Sequence, residues 1–135
     1  MRSRLITSGT LLWMVVFLGT PVTAEEIATP SVIAVKFHAD WCGGCRKLAP
    51  AFSDLISEFN GNPVLFVTLD RTDKISSNQA ELLATALEID RIYQENPGTG
   101  FILLIDPNSH RVLERLHAGM SKNEMAGSIS KLLRS

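Results

Sequence analysis

The stretch Val32-Ile33-Ala34-Val35-Lys36-Phe37-His38-Ala39-Asp40-Trp41-Cys42-Gly43-Gly44-Cys45-Arg46-Lys47-Leu48-Ala49-Pro50 decides how the rest of the chain is read. Residues 32–38 are rich in β-branched and apolar types and stop at a turn, the pattern of a central strand. From Cys42 to Phe59 the apolar residues Leu48, Phe52, Leu55, Ile56 and Phe59 recur at intervals of three and four, an amphipathic helix. Pro50 falls inside it and is expected to bend it. Both cysteines therefore sit where a strand hands over to a helix. Free N–H groups and the positive end of the helix dipole stabilise a thiolate there, so a thiol can titrate below its free value of ~8.5. Two intervening residues put the sulfurs one turn apart, within reach of a disulfide. Cys42, nearer the helix start, is the expected attacking thiolate, and Cys45, one turn deeper, the resolving thiol. Arg46 and Lys47 add positive charge beside them.

Outward from this segment the chain continues in alternation. Residues 64–69 are nearly continuous apolar, the pattern of a strand covered on both faces. Ser77–Ile89 reads as a helix with Leu82, Leu83, Ala86 and Leu87 as its stripe, and Tyr93–Gly100 as a loop. Residues 101–105 form a third strand, Asp106-Pro107-Asn108-Ser109 a turn, and 111–116 an edge strand of mixed polarity completing an antiparallel hairpin. Ser121 caps a last helix with Met125, Ile129, Leu132 and Leu133 inward. Asp70, Arg71, Asp73 and Lys74 read as a solvated loop. The expected architecture is α/β: a four-stranded mixed sheet in the order β-α-β-α-β-β-α, with right-handed parallel crossovers in its first part and helices on both faces.

The 135 residues, 45% hydrophobic and 20% charged, suit one domain and exclude a collagen, a coiled coil or a disordered chain. Thirteen basic against fourteen acidic residues do not suit a nucleic-acid binder. Two cysteines are too few for a disulfide scaffold or a four-thiolate zinc site. Gly98-Thr99-Gly100 precedes a strand, so it is no dinucleotide cradle. No Ser/His/Asp set or pair of catalytic carboxylates emerges.

Residues 1–24 read as a signal peptide rather than as part of the domain at 25–135. Arg2 and Arg4 precede an apolar run, Leu11 to Leu18, and Val22-Thr23-Ala24 supplies small residues for cleavage before Glu25. Without the two arginines, 11 basic and 14 acidic residues leave a net charge of −3. A retained membrane anchor is the alternative, although the run is short against the ~20 residues of a spanning helix. Export places the cysteines where disulfides persist.

The segment Phe37 to Pro50 resembles the active site of the thioredoxin family: strand end, Ala-Asp-Trp lead, CxxC, basic residue, and a helix proline five residues past the second cysteine. The resemblance runs through the element order over roughly residues 32–133. It implies the thioredoxin fold in a minimal version, without the extra N-terminal strand and helix. It also implies thiol–disulfide exchange with protein substrates, an upstream redox partner, and no metal or organic cofactor. We expect a monomer in an envelope compartment such as the bacterial periplasm, without nucleic-acid contacts or, after cleavage, a membrane span.

Three departures stand out. Thr99-Gly100 occupies the place of the family's cis-proline, and Pro97 comes three residues early. A cis bond before Gly100 would cost ~2.5–4 kcal/mol, so a trans peptide with Thr99 facing the cysteines is expected, Thr99 and Gly100 positioning substrate. Lys36 stands where relatives often carry a buried acid. It either lies near Cys45 and tunes it or packs its stem and extends its ammonium to solvent. Gly43-Gly44 replaces the commoner Gly-Pro. Trp41 is expected to cover the disulfide and touch substrate, and Asp40 to accept loop hydrogen bonds, repel acidic partners or remain solvated; Lys36, Asp40 and Arg46 are the candidates for tuning the thiols. The competing chemistry is a copper-binding or copper-delivery site of the two thiolates plus His38, His110 or His117. An inert disulfide or a purely partner-binding domain is the remaining alternative.

Overall fold

The computed structural model describes residues 28–135. The expected leader and its cleavage site lie outside them. Eight elements follow in order: β1 (Val32–His38), α1 (Gly43–Glu58), β2 (Val64–Asp70), α2 (Lys74–Ala86), α3 (Asp90–Glu95), β3 (Phe101–Asp106), β4 (Arg111–His117) and α4 (Lys122–Leu132). The strands form one mixed sheet in the order β2-β1-β3-β4, so β1 is interior, as its composition requires.

Strand alternation divides the core in two. Ile33, Val35 and Phe37 face Ala80, Ala84, Ile92 and Tyr93 of α2 and α3. Val32 and Ala34, with Ile102 and Leu104 of β3, face Leu48, Phe52 and Leu55 of α1 and Met125 and Ile129 of α4. The helices thus cover both faces. The cap of α4 is a reciprocal capping box between Ser121 and Glu124, an arrangement that satisfies two of the free N–H groups at a helix start.

The sheet departs from expectation in direction. Only β1 and β2 are parallel; β3 runs antiparallel to β1, with Phe101 opposite Phe37. The cause is α3, which the sequence reading placed in a loop from Tyr93. This extra helix carries the chain back to the end of the sheet where β1 finishes, and the Gly100 N–H bonds the Phe37 carbonyl at 2.9 Å. The chain then enters β3 against the direction of β1. Residues 99 and 100 are brought beside the CxxC turn by this reversal.

Two helical details also differ. Asp73 caps α2, its carboxylate accepting the Ser76 N–H at 2.8 Å, so the helix begins before Ser77. Ala80 and Ala84 face the sheet while Leu82 is 72% exposed and Leu83 40%; small residues let the helix approach closely. Glu88, at φ +57°, lies in the left-handed region that ends helices, and α3 starts anew at Asp90. Nor is β2 covered on both faces. It is a sheet edge, and of its side chains only Val67 and Leu69 are buried.

Candidate active site

The site is assembled where β1 ends. Cys42 is the N-cap of α1, with extended backbone (φ −85°, ψ 115°), and its sulfur accepts the Cys45 N–H at 3.2 Å. A Ser or Asp commonly does this work at a helix start; here a sulfur does. Cys42 is partly exposed and Cys45 buried, both as thiols. The Cys45 thiol lies 3.7 Å from the Phe37 carbonyl, which also receives the Gly100 N–H. One carbonyl at the strand end therefore ties the inner sulfur to the loop opposite.

The two sulfurs titrate apart. Burial pushes Cys42 up, but hydrogen bonds from the Cys45 thiol, the Thr99 hydroxyl and the Cys45 and Gly44 backbone outweigh it and bring the thiol below its ordinary range. Burial pushes Cys45 up, and its hydrogen bond to Cys42 and that neighbour's charge push further; bonds from Ala39 and Thr99 only partly offset them. Hydrogen bonds to a charged form favour it and burial opposes it, so the negative charge of the pair settles on the outer sulfur.

Opposite the sulfurs, the described residues contain no cis peptide bond, and Gly100 adopts φ +86°. A Cβ there would stand 3.2 Å from the Cys42 sulfur and 3.6 Å from the Cys45 nitrogen. Glycine is required twice over, for the left-handed backbone and for the close approach. Thr99 and Gly100 thus form the wall facing the pair.

Trp41 is 65% exposed, its indole N–H donating to the Thr72 carbonyl at 3.2 Å. It flanks the CxxC turn as an exposed aromatic surface. Asp40 donates its N–H to the Thr72 hydroxyl at 3.0 Å, and its carboxylate takes His38 Nε2 at 3.1 Å. Arg46 gives its guanidinium to the Asp40 carbonyl at 3.3 Å, fastening the first turn of α1 to the loop before it. Lys36 is half-buried, its ammonium 4.7 Å from the centre of the Phe52 ring. Burial lowers its pKa, while the nearby Cys45 and Asp70 charges pull the other way. The ammonium rests on an aromatic face near the inner sulfur.

The residues missed from sequence belong to the turn after β2. Asp70 accepts the Thr72 N–H at 2.8 Å and the Thr72 hydroxyl, so Thr72 presents its oxygens to Asp40 and Trp41. Arg71 stacks 3.9 Å over the Tyr93 ring and donates to the Tyr93 and Pro97 carbonyls. This stretch is built structure, not a solvated loop. A run of charges offered no signal for it; the Asp-x-Thr spacing of an Asx turn was the available one.

The histidines engage elsewhere: His38 with Asp40, His110 at 3.5 Å from Glu88, and His117 accepting the Gly119 N–H. Among the described residues no three His, Cys, Asp or Glu side chains converge as a metal-ligand set.

Comparison with known proteins agrees with this geometry. The thioredoxin family model matches residues 22–86. Thioredoxin H1 of Arabidopsis thaliana is 28% identical over 103 residues, covering 76% of this chain and 75% of its own. Protein disulfide-isomerase 1 of Caenorhabditis elegans is 26% identical over 99 residues, covering 73% of this chain but 19% of its own. A putative protein disulfide-isomerase of Schizosaccharomyces pombe is 36% identical over 50 residues, 37% of this chain and 10% of its own. The chain therefore spans only a fifth or less of these two isomerases. Among solved structures, thioredoxin-2 of the malaria parasite superposes with a TM-score of 0.52 at 22% identity, over 75% of this chain and 82% of that one. A mutant thioredoxin from Halobacterium salinarum gives 0.50 at 21%, over 77% and 76%.

Fold and cysteine placement define a protein of the thioredoxin-fold class. The chain is thioredoxin-like, with a CxxC pair opening its first helix.

Proposed function

We propose that this chain is an exported thiol:disulfide oxidoreductase that exchanges disulfides with protein substrates through Cys42 and Cys45, working as a reductant in an envelope compartment such as the bacterial periplasm. The observation that carries the reading is the Cys42 sulfur at the cap of α1, receiving the Cys45 N–H at 3.2 Å, with the buried Cys45 one turn behind it. Relatives called thioredoxins and protein disulfide isomerases support the same chemistry.

In the reaction the Cys42 thiolate attacks one sulfur of a substrate disulfide. The substrate bond breaks, a mixed disulfide forms, and the first substrate thiolate leaves and takes a proton from solvent. Cys45 then loses its proton and attacks the Cys42 sulfur. The Cys42–Cys45 disulfide closes and the second substrate thiolate departs, so two electrons have passed to the substrate. An upstream dithiol returns the pair to its starting state. The donor bonds around Cys42 make it the better nucleophile and leaving group at neutral pH, and the burial of Cys45 holds its proton until the mixed disulfide has formed. Trp41 and the Thr99-Gly100 wall flank the exposed sulfur and orient the substrate chain.

The test is insulin reduction by the dithiol form, together with the potential of the pair in a dithiothreitol redox buffer. Activity lost in Cys42→Ser and a potential near ~−270 mV are expected. A potential near ~−120 mV would make the protein an oxidant, and a chain without exchange activity would overturn the reading.

A further inference from the structure

The turn after β2 and the loop before β3 meet at Arg71, a residue that the exchange chemistry does not use directly. The Arg71 N–H extends the ladder beyond β2 by bonding the His38 carbonyl at 2.8 Å. Strand parity then puts its side chain on the face of Val67 and Leu69. A cation there needs partners, and it finds two kinds. The guanidinium lies 3.9 Å from the Tyr93 ring centre and 5.6 Å from that of Phe37. It also donates to the carbonyl of Tyr93 and, at 3.1 Å, to that of Pro97. The Tyr93 carbonyl belongs to the last turn of α3, where carbonyls lack helical partners and favour a cation. Pro97 is two residues before Thr99. The loop is consequently pinned at Pro97 by Arg71 and at Gly100 by the Phe37 carbonyl, with Thr99 held between the pins.

We propose that Arg71 is a positioning residue for the thiol pair: by fixing the end of α3 and the loop before β3 to the end of β2, it holds the Thr99-Gly100 wall against the Cys42 sulfur. The planar fork matters, because each carbonyl is met by a different nitrogen, Nη1 on Pro97 and Nη2 on Tyr93, an arrangement a point-like ammonium does not reproduce. The role rests on the exchange reading for its purpose but not for its test.

The experiment is the rate of Cys42 alkylation by iodoacetamide across pH, read by mass spectrometry on the full chain. Wild type is compared with Arg71→Met, Arg71→Lys, Thr99→Val and the double variants. Withdrawing the wall or deleting the Thr99 hydroxyl takes a donor away from the Cys42 thiolate, so each single variant moves the profile to higher pH and slows alkylation at pH 6 severalfold. Arg71→Lys keeps the charge but loses the two-pronged fork, so it behaves as Arg71→Met does, and it decides the matter if the methionine variant fails to fold. In the Thr99→Val background neither Arg71 change shifts the profile further, the non-additivity of two residues acting through one bond. Equal shifts with and without Thr99, or an unmoved profile in Arg71→Lys, would overturn the proposal. Iodoacetamide needs no protein substrate. A chain inactive toward insulin that still shows the linked shift loses the exchange reading alone, and an active chain without the shift loses only the Arg71 role.

Discussion

A methyl group on Gly100 would stand 3.2 Å from the sulfur of Cys42, closer than a carbon and a sulfur pack at rest, on a backbone that already holds φ at +86°. The left-handed backbone costs a side-chain-bearing residue ~1–2 kcal/mol. Gly100→Ala is therefore expected to lose about that much stability in urea unfolding and to slow insulin reduction, since the sulfur or the loop must retreat. Gly127, in α4 with nothing within 4 Å of a built Cβ, gives the opposite sign: Gly127→Ala gains up to ~1 kcal/mol with unchanged activity. Stability unaffected by Gly100→Ala would contradict the close approach.

Lys36 offers a test of charge near the inner sulfur. Its ammonium lies on the Phe52 ring at 4.7 Å and shares the field of Cys45 and Asp70. Lys36→Met keeps the stem and removes the cation, so the Cys45 thiolate loses a favourable neighbour and its titration moves up. A half-exposed charge is screened by solvent, and exposed pairs contribute about 0–1 kcal/mol, so release of a mixed disulfide slows by under about tenfold. Release kinetics from a Cys42 mixed disulfide, measured by stopped flow, check this. An unchanged rate and Cys45 titration would leave Lys36 as packing alone.

Much of this site could be read from residues 32–50, because the features there are local. A β-branched run, a helical spacing and a cysteine at their junction each rest on neighbours in sequence, and the structure has Cys42 as the cap of α1. What escaped depends on distant partners. The exposure of Leu82 and burial of Ala84 follow from which face of α2 packs on the sheet, a face of small residues that lets the helix approach. The antiparallel entry of β3 follows from α3, whose six residues are too few to show a periodic stripe. Arg71 looked like solvent-facing loop, and Thr72 gave no signal, because their partners, Tyr93 and Trp41, are 22 and 31 residues away in the chain.

The Asp70–Thr72 turn predicts an acid sensitivity. Burial alone would push the Asp70 carboxyl up, but hydrogen bonds from the Thr72 hydroxyl and N–H, with the charges of His38 and Lys36, bring it below the usual carboxylate range. A folded value below the unfolded ~3.9 means that the unfolded chain binds the proton more readily. The stabilisation is complete above the unfolded value and disappears as pH falls through the folded one. Asp70→Asn removes it at neutral pH, so the stability difference between wild type and variant shrinks in acid. Because Thr72 holds the Trp41 indole at 3.2 Å, the tryptophan fluorescence near the site should change with the variant. A stability gap independent of pH between 2 and 6, about the range spanning the carboxylate titration, would assign the turn no such role.

The most direct measurement is the pH dependence of iodoacetamide alkylation at Cys42 and Cys45 in the reduced wild-type chain, resolved by mass spectrometry. We predict that Cys42 reacts with a midpoint clearly below the ~8.5 of a free thiol, while Cys45 stays protected to alkaline pH. Two thiols with equal, ordinary midpoints would contradict the asymmetry on which the redox reading stands.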